Sequence, residues 1–234
     1  MMRTAYFASA LCAILYCGIP ETTCLSDEPA MEGPRVADLL PTDGSEVDVM
    51  WFPERLVELM KKLNAGVKEN PGAFLVDVLK ANGEPIDYDP RLGLSEEDHN
   101  ELMRLSREFK FVKLTTAPIK VHHAADGIEL DGGDLLPQLT GITVYPDKKK
   151  LKTPFGICTK VTEVRASDDQ TRTGRCNGVQ WECEQLFPPS RVRLMLGKLE
   201  ESGRGLLIYD ARGFEGLRPK RTSCVLTYDL PPAK

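Results

Sequence analysis

The chain has 234 residues, of which 41% are hydrophobic and 28% are charged, and its formal net charge is -5. These values are typical of a soluble globular protein and exclude a chain that is disordered or membrane-embedded overall. Because the net charge is negative, the composition gives no general attraction to nucleic acid, and we expect no nucleic-acid partner.

The first 26 residues have the pattern of a secretory signal peptide. An apolar core over residues 5–19 follows a positive start, and residues 20–23 form a polar exit. Export signals have an apolar core of roughly 7–15 residues, whereas a membrane-spanning helix needs roughly 20. We therefore expect a periplasmic or extracellular location. Lipid attachment at Cys17 is the less favoured alternative because the bulky Tyr16 precedes it, and membrane contact is expected only through such an anchor.

The rest of the chain divides by composition into two parts. Residues 27–49 are rich in Pro, Gly, Asp and Glu without a sustained apolar period, which predicts an acidic flexible tether. Residues 50–234 are expected to form one α+β domain, helical over 50–109 and β-rich over 110–234. In this arrangement the N-terminal helices pack on one face of a mainly antiparallel, disulfide-stabilised C-terminal sheet.

Three helices are predicted in the helical part. The first begins at Pro53 with apolar residues at three-and-four spacing and is expected to end at residues 64–66. The second is predicted over 70–82, from an Asn-Pro start to an Asn-Gly stop. The third follows Ser95, whose hydroxyl can cap the free amides of the first turn, and three acidic residues come directly after it.

After residue 110 the apolar period changes from helical spacing to two, which predicts strands. The turn dipeptide Asp126-Gly127 indicates a hairpin between two of them. Residues 191–201 fit either a helix or a strand, and we favour a strand because Gly197 would weaken a helix by roughly 1 kcal/mol. The predicted strands cover residues 119–123, 127–130, 142–145, 157–164, 179–186, 206–209 and 224–228.

Four cysteines lie in the second half of the chain. An exported protein meets an oxidising environment, so two disulfides are expected, and the sequence leaves their pairing open. A zinc site is the alternative, but the Cys176 to Cys183 spacing is wider than a zinc knuckle, and no metal is expected. Alternation predicts that Trp181 and Cys183 face one core together with Cys224. The four cysteines are Cys158, Cys176, Cys183 and Cys224.

Catalytic signals are weak. The sequence lacks a nucleophile elbow, a zinc-protease helix and a glycine-rich phosphate loop, so no cofactor is expected. His122 and His123 are adjacent and should point to opposite faces of a strand, one toward the core and one toward solvent. The enzyme hypothesis is a secreted hydrolase that uses His122 or His123 with nearby carboxylates, and its catalytic candidates are His123, Asp126 and Glu129.

The leading hypothesis is an exported envelope or periplasmic protein that binds a protein or another envelope component. Trp51 and Phe52 are candidate docking residues at the end of the predicted tether. Two basic runs, at residues 148–152 and 218–221, adjoin prolines and are therefore expected to be solvated loops.

Overall fold

The computed structural model describes residues 35–73, 87–124, 127–186, 189–215 and 218–232. The described chain forms two compact units, a helical unit at Phe52–Val112 and a β unit built from the residues on either side of it. The predicted α+β class is confirmed, with helices before a set of antiparallel strands. The helical unit ends at Val112, close to residue 110, where the sequence predicts the change from helix to strand.

The helical unit contains α1 (Glu54–Glu69) and α2 (Glu96–Glu108), with a 3-10 turn at Pro90–Leu92. As predicted, Ser95 caps α2, and its hydroxyl accepts a hydrogen bond from the Asp98 amide at 3.1 Å. The predicted second helix lies mostly outside the described residues, of which residues 71–73 are helical.

The first helix continues past its predicted end. Gly66 lies inside α1, where a Cβ atom would come within 2.0 Å of the Leu92 carbonyl oxygen. The glycine is therefore required by the close approach of α1 to the 3-10 turn, not by a helix end. An ion-pair group also joins the two helices, since Arg55 Nη2 lies 2.7 Å from Asp98 Oδ1 and 2.6 Å from Glu101 Oε2.

Two antiparallel sheets form the β unit. The larger sheet has the strand order β2-β1-β12-β11-β10-β9-β8, and the smaller has the order β3-β4-β5-β6-β7. A short helix, α3 (Asp168–Thr171), connects β8 to β9. The strands are β1 (Glu46–Trp51), β2 (Val112–Pro118), β3 (Lys120–His123), β4 (Ile128–Asp131), β5 (Ile142–Tyr145), β6 (Lys150–Thr153), β7 (Gly156–Cys158), β8 (Val161–Ala166), β9 (Cys176–Leu186), β10 (Pro189–Leu199), β11 (Gly205–Glu215) and β12 (Arg218–Tyr228).

Long hairpins account for most of the larger sheet. The preference for a strand at residues 191–201 is confirmed, since β10 runs from Pro189 to Leu199 and pairs with both β9 and β11. Both sheets contribute to one core, in which Trp181, Tyr209 and Tyr228 are fully buried. The Tyr228 hydroxyl donates a hydrogen bond to the Leu39 carbonyl at 2.7 Å.

The described part of the predicted tether belongs to the β unit. Leu39 and Val47 are 2% and 0% exposed, and β1 pairs with β12 from the far end of the chain. Asp43 accepts a hydrogen bond from the Val121 amide at 2.8 Å and so covers the edge of β3. This corrects the tether prediction for residues 36–49, because the apolar residues Leu39, Leu40 and Val47 of this acidic stretch lie in the core.

One disulfide joins the two sheets. It links Cys158 of β7 to Cys183 of β9, with the Cα atoms 5.4 Å apart. Cys176 and Cys224 are buried and free, which corrects the prediction of two disulfides. Two strands separate β9 from β12, so the two free cysteines are more than about 14 Å apart. A disulfide requires Cα atoms within about 7 Å.

Candidate functional site: an arginine face on the larger sheet

Three arginines lie side by side on neighbouring strands of the larger sheet. Arg191 of β10 is directly opposite Arg212 of β11, which is directly opposite Arg221 of β12. Since neighbouring strands are about 4.8 Å apart, the row spans roughly 10 Å. Arg193 lies beside this row on β10, and the four residues Arg191, Arg193, Arg212 and Arg221 are named the arginine face.

The arginine face is on the outer side of the sheet. The residues that alternate with the arginines, Val192 on β10 and Ala211 on β11, are 1% and 0% exposed and lie in the core. Successive side chains of a strand point to opposite faces, so the arginines point away from that core. Their side chains are 21% to 35% exposed, which leaves each of them partly accessible to solvent.

Three carboxylates, Glu182, Glu184 and Asp210, lie among or beside the four guanidinium groups. Glu182 of β9 accepts hydrogen bonds from Arg191 Nη2 at 2.5 Å and from Arg193 Nη2 at 3.5 Å. Asp210 of β11 accepts one from Arg221 Nε at 2.8 Å and lies 3.6 Å from Arg212 Nη2. Glu182 and Asp210 are therefore each shared by two arginines, and Glu184 of β9 lies directly opposite Arg191 at the end of the row.

The carboxylates make the arginine row compatible with folding. Like charges directly opposite each other in a sheet are destabilising, and the row contains two such pairs. Burial raises the pKa of Glu182, but the hydrogen bond from Arg191 and the charges of Arg193 and Arg191 hold it below its usual value. Glu182 therefore stays ionised and offsets part of the repulsion.

An exposed aromatic side chain lies next to the arginine row. Phe214 is 44% exposed and follows Arg212 by two residues on β11, near the end of the β11–β12 hairpin. The intervening Gly213 faces the core side, where a Cβ atom would come within 2.5 Å of the Phe155 ring. Strand alternation then places Phe214 on the same face as Arg212.

The structure places one histidine of the enzyme hypothesis beside a carboxylate, on an exposed surface. His122 lies opposite Glu129 across β3 and β4, and both side chains are exposed. His123 is also exposed, which corrects the expectation that one imidazole faces the core, because β3 ends at this residue. Asp126 lies outside the described residues. Over the described ranges, no group of three or more His, Cys, Asp or Glu residues is arranged to hold a metal ion.

The two candidate docking residues have different environments. Trp51 is 43% exposed at the end of β1. Phe52 instead packs in the core of the helical unit, with its ring centroid 5.2 Å from those of Phe109 and Phe111. Phe52 is therefore a packing residue, and the docking prediction now applies to Trp51 alone.

Sequence reasoning missed the arginine face because it assigned one of its residues to a loop. Arg221 belongs to the second basic run, and the structure places this run in β12. Charged residues two positions apart, Arg191 and Arg193 and then Asp210 and Arg212, were the available signal for outward-facing strand positions.

The first basic run lies beside Tyr145. The amino groups of Lys148 and Lys150 are 5.8 and 5.7 Å from the centroid of its ring.

Comparisons with known proteins give no relative for this chain. No protein-family model matches it, and neither the curated proteins nor the solved structures contain a significant match. Among the helices that the structure describes, none has the length and apolar character needed to cross a membrane.

Proposed function

We propose that the protein is exported and acts by binding an anionic partner through the arginine face. The observation that carries this proposal is the direct cross-strand register of Arg191, Arg212 and Arg221. A row of like charges costs stability, so its presence on a partly exposed surface favours a role in recognition.

The chemistry of arginine supports an anionic partner. A guanidinium group presents several donors in one plane and matches the oxygens of carboxylate, phosphate and sulfate groups. The arginine face stands on paired strands, which fix the spacing of its side chains better than a loop would. An anion placed along the row would reduce the repulsion between neighbouring guanidinium groups.

Two features support export. The first 26 residues carry the apolar pattern of a signal peptide. The disulfide between Cys158 and Cys183 is typical of proteins from an oxidising compartment. Intact mass of the natural protein, before and after reduction, tests this part, because removal of the first residues and one disulfide are both expected. A natural product that retains Met1 and has only reduced thiols contradicts export.

Retention on immobilised dextran sulfate tests the binding surface. The variant R191Q/R212Q removes two charges of the row but leaves Arg193 beside Glu182 and Arg221 beside Asp210. We expect this variant to elute at lower salt than the wild type. R104Q is the matched control, because Arg104 is exposed on α2 in the helical unit. Equal elution of all three proteins, or no retention of any, contradicts the proposal.

A further inference from the structure

We infer that the edge strand β2 is an interaction surface for a second copy of this chain, and that two β2 strands pair antiparallel to form a dimer. β2 stands at one end of the strand order of the larger sheet, so within the described chain it has a neighbouring strand, β1, on one side only. This edge lies on different strands from the arginine face, so its pairing does not depend on the proposed anion binding.

The side chains of β2 are exposed and partly apolar. Residues 112–115 are all exposed, and they include the large apolar residues Val112 and Leu114, which are 47% and 62% exposed. An edge strand also presents a row of backbone N–H and C=O groups that can pair with another strand. β2 therefore combines backbone groups for pairing with apolar side chains that a partner could cover.

Trp51 extends this apolar edge. The Ile119 amide, directly after β2, donates a hydrogen bond to the Ser45 carbonyl, directly before β1, at 3.0 Å, so the two strands run antiparallel. The end of β1 is therefore beside the beginning of β2, and Trp51, 43% exposed, lies near Val112. Trp51 is the remaining docking residue of the sequence prediction, and aromatic residues are enriched at protein interfaces.

The strands at the other three sheet ends are each protected from pairing. The Asp43 carboxylate accepts a hydrogen bond from the Val121 amide and so covers β3. β7 has only three residues and is bonded to β9 by the disulfide. β8 carries the exposed charged residues Glu163 and Arg165. These are the usual ways in which sheets avoid pairing with other chains. In β2 the one proline, Pro118, is the last residue and leaves residues 112–117 able to pair.

The charge of β2 is balanced by its neighbours. Lys113 is the one charged residue in the sequence of this strand, and its Nζ atom lies 2.5 Å from Asp48 Oδ1 on β1. Asp48 also pairs with Arg204, which in turn pairs with Asp229. Two cations and two carboxylates therefore form a neutral group. An edge lysine normally opposes pairing through its charge, and here that charge is neutralised within each copy.

Antiparallel pairing about a two-fold axis suits this strand. Such an axis places one residue opposite its own copy, and residue 114, 115 or 116 can take that central position. Lys113 then lies opposite Thr115, Ala117 or Ile119, respectively, and never opposite the second lysine. Each copy uses its β2 edge once, so the product is a closed dimer and not a fibre. A contact of two seven-residue strands is small beside interfaces of roughly 1,200–2,000 Å², so the dimer should dissociate on dilution.

Sedimentation equilibrium over a series of protein concentrations tests the inference on the mature, disulfide-bonded protein. We expect the average mass to rise with concentration toward that of two copies and to stop there. L114K should raise the dissociation constant of the dimer at least about tenfold, because it removes an apolar side chain and brings a new positive charge from each copy to the contact. L135K is the matched control, since Leu135 is 65% exposed in the β unit outside β2, and it should dimerise like the wild type.

Cysteine substitution tests the strand pairing directly. The variants L114C, T115C and T116C are oxidised separately, and the cysteine that lies opposite its own copy should form an intermolecular disulfide. The Cα atoms of directly opposite residues are about 4.5–5.5 Å apart, which is within disulfide range. L135C should give much less cross-linked dimer at the same concentration. The two native thiols are buried and do not compete. These cysteines replace exposed or half-buried side chains, so the variants are expected to fold and keep the test decisive if L114K is unstable.

Three results would overturn pairing through β2. A protein that stays monomeric over the whole concentration series excludes the second copy and leaves the edge to an extended segment of another protein. A dimer that L114K weakens no more than L135K does is formed elsewhere on the molecule. The same conclusion follows if none of the three β2 cysteines cross-links above the level of L135C. Retention on dextran sulfate is measured separately, so each of these results leaves the proposed function standing.

Discussion

Cys158 on the short edge strand β7 is covalently bonded to Cys183 in the long strand β9, so one disulfide ties the two sheets together. Cys183 packs against the core that contains the fully buried Trp181. The bond closes a loop with a sequence separation of 25 residues. Its main effect is expected in the unfolded chain, whose conformational freedom it restricts.

Loss of this bond should destabilise the β unit. For a loop of this length, the chain-entropy relation gives about 3.5 kcal/mol for C158S/C183S relative to the wild type. Urea unfolding followed by tryptophan fluorescence measures the difference. Dithiothreitol should lower the wild-type midpoint and leave that of the variant unchanged. A midpoint that neither reduction nor substitution shifts would show that the bond does not stabilise the fold.

The two free thiols should be unreactive in the folded protein. Burial raises the pKa of Cys224 to about 12, and burial together with the charge of Glu200 raises that of Cys176 to about 12. Since the thiolate is the reactive form, iodoacetamide at about pH 8 should modify neither residue until the chain is unfolded. Peptide mass spectrometry identifies the modified sites. Rapid labelling of either cysteine in the native protein would contradict its burial.

Asp48 connects three segments that are distant in the sequence. Its carboxylate lies 2.5 Å from Lys113 Nζ on β2 and 2.8 Å from Arg204 Nη1 before β11, and it accepts a hydrogen bond from Thr116. The hydrogen bond from Lys113 is the main cause that lowers the pKa of Asp48 below 3.8, with Arg204 contributing as well.

Substitution of Asp48 should change both stability and its pH dependence. D48N leaves two cations without their carboxylate, and we expect it to cost about 1–3 kcal/mol at neutral pH. A lowered pKa stabilises the fold above the unfolded value of 3.8, and this contribution is lost as the pH falls through the folded value. Urea unfolding from neutral to acidic pH should therefore show the wild type approaching D48N.

Asp229 provides the control for Asp48. It also pairs with Arg204, at 3.3 Å, but its side chain is 93% exposed. D229N should therefore change the free energy of unfolding by less than about 0.5 kcal/mol. Equal effects of D48N and D229N would contradict the view that the partly buried carboxylate of Asp48 stabilises the contact of β1 with Lys113 and Arg204.

A pair of glycines sets the close approach of β9 and β10. Gly178 and Gly197 lie directly opposite each other, and a Cβ atom on Gly178 would be 2.0 Å from the Leu196 carbonyl oxygen. G178A should therefore lower the free energy of unfolding by about 2–3 kcal/mol. G72A is the control, because a Cβ atom on Gly72 would meet none of the described residues within 4 Å. Thermal unfolding compares the two, and similar melting temperatures would argue against a steric requirement.

Local sequence signals predicted the elements that depend on local chemistry. Ser95 and the acidic residues after it define the start of α2, and the structure contains that cap. The alternation through β10 outweighed its helical spacing because both edges of the strand pair with neighbouring strands. In both cases the residues that decide the structure are adjacent in the sequence.

Features that depend on distant pairing were not predictable in the same way. Residues 47–50 pair with β12, so that Val47 lies opposite Tyr228. Nothing near residue 47 encodes a partner so far along the chain, and the acidic composition there therefore suggested a tether. The arginine row has the same origin, since its three members become neighbours only when three strands are in register.

Whether the arginine face binds an anion can be decided from the salt dependence of dextran sulfate binding. Affinity is measured over a series of salt concentrations for the wild type, R191Q/R212Q and R104Q. The slope of log affinity against log salt reports how many charges the protein neutralises on the ligand. We expect a shallower slope for R191Q/R212Q and an unchanged slope for R104Q. Identical slopes and affinities for all three proteins would contradict binding at the arginine face.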